Sequence, residues 1–216
     1  MKSKRVLIIV AHSDDETIGM AGTIRKHVLE GNTVNVVSMT DGVGSRDKAN
    51  QKSIFSRKES AKEASKILGF DWIKQYDFPD NQLDSVPLLK IIKAIESVKA
   101  DFKPELVYTH SAADLNIDHK IVLQATLTAF RPLNDESCKE IRTFEVPSAT
   151  DYGHDTLTRK FVPNLFIDIQ KFEKDKISAL QAYSQEMKQY PNSRSVESIM
   201  NLAKTVVPIG FQGILL

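Results

Sequence analysis

Five aliphatic residues stand in a row near the start of the chain, Val6-Leu7-Ile8-Ile9-Val10, with no polar residue among them. A strand with one face in water alternates apolar and polar side chains. An unbroken β-branched run instead predicts a strand covered on both faces, as in a parallel sheet between two layers of helix. The rest of the chain continues what that run begins. Arg5 to Ala11 reads as a strand and Thr17 to Glu30 as a helix with Ala21, Ile24 and Val28 on one stripe; Gly31-Asn32 is its stop, and Val34 to Met39 is the next strand. There follow a helix Ser53 to Leu68 closed by Gly69, a strand Trp72 to Phe78, a helix Val86 to Lys99, a strand Leu106 to Thr109, and a helix after Asp118 running to Phe130. Strands near Ile141 to Val146 and Leu165 to Ile169, a helix Phe172 to about Gln189 and a helical Ser195 to Val206 complete the pattern. The expectation is α/β: a single-domain Rossmann-like open, mostly parallel sheet with helices on both faces, residues 1–216 forming one domain. Ligands in such sheets gather beyond the carboxyl ends of the strands.

Composition narrows the partners. With 216 residues, 41% hydrophobic, the chain buries a core without disulfide or metal staples. Lys plus Arg number 29 against 28 Asp plus Glu, a net charge of +1, which gives no field for nucleic acid and leaves recognition to local clusters. The lone Cys138 excludes an internal disulfide and every cysteine-rich zinc motif, which suits a reducing, cytoplasmic setting. The first aliphatic run is shorter than the roughly 7 to 15 residues of a signal segment and meets acidic residues where a cleavage site would fall. No run approaches the roughly 18 apolar residues of a membrane span, so the whole chain is expected to be the mature one. The apolar tail from Ile209 to Leu216 either finishes the core or meets a second copy in a homo-oligomer.

Two loops that follow strands hold most of the chemistry. The first, Ala11-His12-Ser13-Asp14-Asp15-Glu16, packs an imidazole and three carboxylates into five residues. Crowded carboxylates repel unless solvent or a cation neutralises them. A plain alternative is that these acids favour the N-terminal dipole of the following helix. The second loop, His110-Ser111-Ala112-Ala113-Asp114-Leu115-Asn116-Ile117-Asp118-His119, also leaves a strand, and the two can converge at one sheet edge. Histidine and carboxylate donors without cysteine suit a catalytic zinc, in which three protein ligands leave one position for water.

In these segments the sequence resembles the PIG-L/LmbE-like zinc de-N-acetylases, the family of the N-acetylglucosaminyl-phosphatidylinositol, mycothiol-pathway and bacillithiol-pathway deacetylases. Its first signature, Ala-His-Pro-Asp-Asp-Glu, is matched by Ala11 to Glu16 with Ser13 in the proline's place. Its later Asp-His is matched by Asp118-His119, behind Tyr108-Thr109-His110 and Asp114. Thr40-Asp41-Gly42, Arg57 with Glu59 ahead of Leu68-Gly69, and Phe78-Pro79-Asp80 stand between them in family order. The resemblance implies that one catalytic Zn2+ is held by His12, Asp15 and His119, with Asp14 as general base. Zinc lowers the pKa of water toward roughly 7 and polarises an acetamide carbonyl, so the products are a free amine and acetate. Asp118 is expected to orient a ligand imidazole. Arg57 and Asp80 are placed at a sugar-binding rim, with His110 and Asp114 near the substrate. The substrate class implied is an amino-sugar conjugate or glycan precursor.

The chain departs from some relatives at the oxyanion. Asn116 stands where several carry a second histidine, and Asp114 where some carry tyrosine. An amide donates a hydrogen bond to developing charge but is no acid at neutral pH, so proton return falls to Asp14 or to another group such as His110. Glu16 is read as a helix N-terminal carboxylate outside the catalytic set. His27 and His154 are read as surface histidines, and Trp72, Phe78 and Phe161 as packing. Gly42-Val43-Gly44 lacks a nucleotide fingerprint. Two other functions fit less well: a metal-dependent phosphoesterase, which generally needs more bridging ligands, and a sugar-binding protein of the same fold, which has no use for a retained Asp14.

Overall fold

The computed structural model describes residues 3–47, 50–154 and 160–205. Five parallel strands make one sheet in the order β3-β2-β1-β4-β5: β1 Arg5–Val10, β2 Thr33–Thr40, β3 Asp71–Phe78, β4 Leu106–His110 and β5 Glu140–Phe144. The expected open α/β sheet is therefore present. The period of two along β1 divides the core. Val6, Ile8 and Val10 face a layer with helices α1 (Asp15–Leu29), α2 (Gln51–Leu68) and α5 (Glu173–Ala182), joined by α6 (Val196–Thr205). Leu7 and Ile9 face α3 (Leu88–Phe102) and α4 (Ile117–Ala129). Every one of these β1 side chains is at most 1% exposed, each worth about 2 kcal/mol of apolar burial, which is why the run carries no polar residue.

The chain proceeds from β1 outward through β2 to β3, then returns to the other flank of β1 with β4. The strand order thus reverses between β1 and β4, and a crevice opens beyond their carboxyl ends. From Asp15 to Ile24 every residue of α1 is buried. Two glycines make that possible: a Cβ on Gly19 would lie 2.5 Å from Phe144 Cδ2, and one on Gly22 would lie 2.6 Å from Ile169 Cδ1.

Two expected elements differ. Leu165 to Ile169 forms no strand beyond a single bridge at Asp168, because Ile169 is used as a knob against Gly22. The helix expected to reach Gln189 stops at Ala182, and turns there bring Tyr183 to the buried Glu16 and Glu186 to the crevice. The tail 206–216 lies outside the described residues. Among the described residues no helix is long and apolar enough to cross a membrane.

Candidate metal centre

Beyond β1 the chain folds back on itself. The amides of Asp14 and Asp15 both donate to His12 O, at 3.1 and 3.3 Å, and His12 N donates to Asp15 Oδ2 at 2.9 Å. Beyond β4, Asn116 caps α4, its Oδ1 accepting from the amides of Asp118 (2.8 Å) and His119 (3.4 Å). That cap sets His119 against the β1 turn, 107 residues away in sequence.

Three donor atoms meet there. His12 Nδ1 lies 3.2 Å from His119 Nε2, and Asp15 Oδ2 lies 3.3 Å from each of them. Donors bound to one tetrahedral zinc at about 2.0–2.1 Å stand about 3.3 Å apart, so the triangle has the edge length that ion requires. The far side of each ring is tied down. His119 Nδ1 meets Asp114 Oδ2 at 2.8 Å, and His12 Nε2 meets Asp80 Oδ1 at 3.2 Å and Asp118 Oδ2 at 3.3 Å. A ring that donates through the far nitrogen presents a lone pair at the near one, which is the tautomer a metal ligand needs.

Electrostatics agree with the geometry. Burial opposes charge on His12, yet Asp118, Asp15 and Asp80 outweigh it and hold the imidazole well above its ordinary value. Burial likewise opposes charge on His119, which Asp15 and Asp114 raise to about 9. Asp15, against its own burial, is held well below the carboxylate range by His119 and His12. The pocket is built for positive charge, which protons or a divalent cation can supply.

Asp14 sits beside the triangle, fully buried, and both of its oxygens are taken by arginines. Arg57 Nη2 reaches Oδ1 at 2.7 Å, and Arg194 Nη2 bonds Oδ2. Arg57 also donates from Nε to Ser13 O (2.8 Å), and its Nη1 forms an ion pair with Glu186 Oε1 (2.8 Å), whose other oxygen takes Arg46 Nη2 at 2.7 Å. A cavity of about 540 Å³ opens over this group, with His12, Asp15 and His119 at its floor and Tyr152, Lys188 and Arg194 among its lining.

The sequence-derived residues divide between cavity and support. Asp14, Arg57, Asp80 and Asn116 line the cavity with the three metal-capable residues. Arg57 is 5% exposed, however, and engaged by Asp14, Glu186 and Ser13, so it braces the site from behind. His110 and Asp114, expected near substrate, are fully buried and do not line the cavity. His110 Nε2 accepts the amide of Ala11 at 2.8 Å, and its ring stacks on His119 with centroids 3.8 Å apart. Burial, with His119 and His12 beside it, pushes its pKa well down, and with Nε2 accepting, the neutral ring carries its one proton on Nδ1. Asp118 is fixed by the amides of Asn81 (2.7 Å) and Leu83 (3.0 Å).

Glu16 stands in the first turn of α1, the helix N-terminal position expected of it. It is fully buried, takes bonds from Thr17 (2.6 Å) and Tyr183 (3.2 Å), and is pushed up to about 8 by burial beside Asp14 and Asp15. His27, expected at the surface, is half-buried against Tyr108 Oη at 2.9 Å, and burial lowers it to about 4. His154 is exposed. Sequence reasoning misses Arg194 and Glu186, which reach the crevice, and Tyr183, which reaches the buried Glu16, since each comes from an irregular segment with no motif.

Fold and site define an α/β protein with a His/Asp metal-capable centre at the switch point of a parallel sheet. Residues 7–130 match the model of the GlcNAc-PI de-N-acetylase (PIG-L) family, and the chain belongs to that family. It is 30% identical over 152 residues to the uncharacterized deacetylase YaiS of Escherichia coli K12, covering 68% of this chain and 76% of that one. Among solved structures it resembles the N,N'-diacetylchitobiose deacetylase of Pyrococcus horikoshii, with a TM-score of 0.74, 21% identity, and coverage of 94% of this chain and 78% of that one. It also resembles the 4-carboxy-2-hydroxymuconate hydratase of Pseudomonas putida KT2440, with a TM-score of 0.69, 18% identity, and coverage of 98% and 93%. These two likenesses concern the fold, which hosts more than one chemistry.

Proposed function

We propose that this chain is a zinc-dependent hydrolase that removes the acetyl group from an N-acetylated amino sugar, an N-acetylglucosamine-type conjugate, working as a single cytoplasmic domain. One observation carries the reading: the donor triangle of His12, Asp15 and His119, with edges of 3.2–3.3 Å, beside an acid that is not itself part of it. The family description and the deacetylase name of YaiS support the reaction class. A cavity of about 540 Å³ is within the range that small ligands occupy.

His12, Asp15 and His119 would hold the zinc, which when bound would supply Lewis acidity toward water and the acetamide carbonyl. Asp114 holds His119 and Asp118 with Asp80 holds His12, so both ligand rings keep one tautomer and one orientation. Asp14 is the general base. Its Oδ1 is anchored by the nearly inaccessible Arg57, while Oδ2 is covered only by the more exposed Arg194. Oδ2 therefore takes the proton of the attacking water and returns it to the leaving amine nitrogen. Asn116 Nδ2 spends one hydrogen on Asn81 Oδ1 (3.1 Å) and keeps the other for the developing oxyanion.

The test is metal analysis of the purified protein with amine and acetate measured on N-acetylglucosaminides. Asp14→Asn should keep its metal and lose about 10²- to 10⁴-fold in turnover, while His119→Ala loses both. An Asp14→Asn protein that deacetylates at the parent rate ends this mechanism. The likeness to a hydratase gives a second reading, addition of water to an unsaturated acid. Equal release of amine and acetate separates the two, because hydration releases neither.

A further inference from the structure

The far nitrogen of His12 faces a second set of donors. His12 Nε2 lies 3.2 Å from Asp80 Oδ1 and 3.3 Å from Asp118 Oδ2, and all three atoms lie within 4.8 Å of one another. The spacing about Nε2 thus repeats the one about Nδ1, where His119 and Asp15 stand at 3.2 and 3.3 Å. The two triangles share one imidazole and no other residue. His12 and Asp80 both line the cavity, so an ion can arrive at Nε2 from solvent.

One of these donors is unspent. Asp80 Oδ1 accepts no hydrogen bond among the described residues, and its side chain is 2% exposed, so a buried lone pair meets only the ring. The other oxygen of each carboxylate is already fixed: Asp80 Oδ2 takes the amide of Ser45 at 3.1 Å and its hydroxyl at 2.5 Å, and Asp118 Oδ1 takes the amide of Leu83 at 3.0 Å. Carboxylates that bind metals are commonly held in this way. Asp118 Oδ2 takes the amide of Asn81 at 2.7 Å and keeps one lone pair for the triangle. Charge favours a second cation too. One divalent ion leaves Asp15, Asp80 and Asp118 with an excess negative charge, and a second, entering as the Nε2 proton leaves to solvent, makes the two triangles neutral together.

We propose that His12 Nε2, Asp80 Oδ1 and Asp118 Oδ2 form a second zinc site, filled after the first, with the His12 ring shared between the two ions. The Nε2–H bond breaks, the Nε2–zinc bond forms, and the proton goes to solvent. The second ion binds more weakly because it meets the charge of the first across one ring. The inference does not depend on which substrate the first ion serves.

The experiment dialyses chelator-stripped protein against graded free zinc and analyses the metal bound. Uptake should reach two ions per chain in two steps. Asp80→Asn should keep the first step and weaken the second at least about tenfold, since an amide offers the ion no anionic oxygen. Glu63→Gln, the loss of one carboxylate on the exposed face of α2, should leave both steps unchanged. Anomalous scattering at the zinc edge from parent crystals grown with excess zinc should give two peaks, one against each nitrogen of His12, and it decides the matter if Asp80→Asn does not fold. One ion per chain at saturation, a second peak away from His12, or a second ion that Asp80→Asn binds as tightly as the parent overturns the second site and spares both the first triangle and the deacetylase reading. No uptake at all overturns both metal sites.

Discussion

Loading the centre with Zn2+ should expel protons, and the number follows from the two imidazoles. His119 is raised to about 9 by Asp15 and Asp114 despite its burial, so at pH 7 about 1% of its rings are neutral. Zinc needs the neutral ring, and the competing proton weakens apparent affinity on the order of 100-fold. His12 is raised as well and adds a second proton. Titration calorimetry at pH 7 in buffers of different ionisation enthalpy should report between one and two protons released per ion. The apparent Kd should tighten tenfold or more per pH unit from 7 to about 9, then level off. The metal-free fold behaves oppositely. A histidine raised from 6.5 to about 9 contributes stability fully present below 6.5 and lost as pH rises through 9, about 3 kcal/mol for His119 alone. Metal-free protein should therefore melt lower at pH 9 than at pH 6.5, and zinc should restore it. Zinc uptake with no proton release at pH 7 would refute the account of how these carboxylates hold the rings.

Three further outcomes are expected. Asp114→Asn should weaken zinc affinity about 10- to 100-fold in competition with a chromophoric chelator, since His119 loses its anionic partner; unchanged affinity would remove Asp114 from the support of the site. Lys176 is fully buried, and burial holds it down at about 8 against Glu145, so its charge destabilises the fold below that pH and the cost fades as pH rises toward 10.5. Lys176→Met should raise the urea midpoint at pH 7 and flatten the rise in stability between pH 8 and 10; a lower midpoint at pH 7 would refute this. Gly19→Ala should cost about 1–3 kcal/mol in the same assay, because its Cβ would meet Phe144 Cδ2 at 2.5 Å and Glu145 O at 2.6 Å, and a parent-like midpoint would show that β5 yields easily.

The donor triangle could be anticipated because each half is a short string at the end of a strand. His12 and Asp15 are three residues apart, and parallel topology alone carries His119 to them from β4. Nothing comparable announces Tyr183 or Arg194, which meet Glu16 and Asp14 across 167 and 180 residues. Tyr183 and Glu186 fall within the helix expected to reach about Gln189, since apolar spacing does not reveal that they are needed elsewhere, and Arg194 falls between two expected helices with no motif around it. Leu165 to Ile169 misleads for a similar reason: its side chains suit a strand, but the notch at Gly22 takes Ile169 out of any ladder. The place of Glu16 in the first turn of α1 is legible, but its complete burial is not, because that depends on Tyr183 arriving from α5. His110 matched a substrate residue by position, yet the amide of Ala11 claims its Nε2.

The buried head of α1 gives the molecule an immobile shaft, with the reactive carboxylates at its tip. The lips around that tip, at Arg46 and from Glu186 to Arg194, belong to irregular segments, yet Glu186 reaches back to the buried Arg57 and Arg194 to Asp14. The side chains that edge the opening thus also brace the reactive acid, so any change of clientele made there is felt at once by the hydrolytic apparatus.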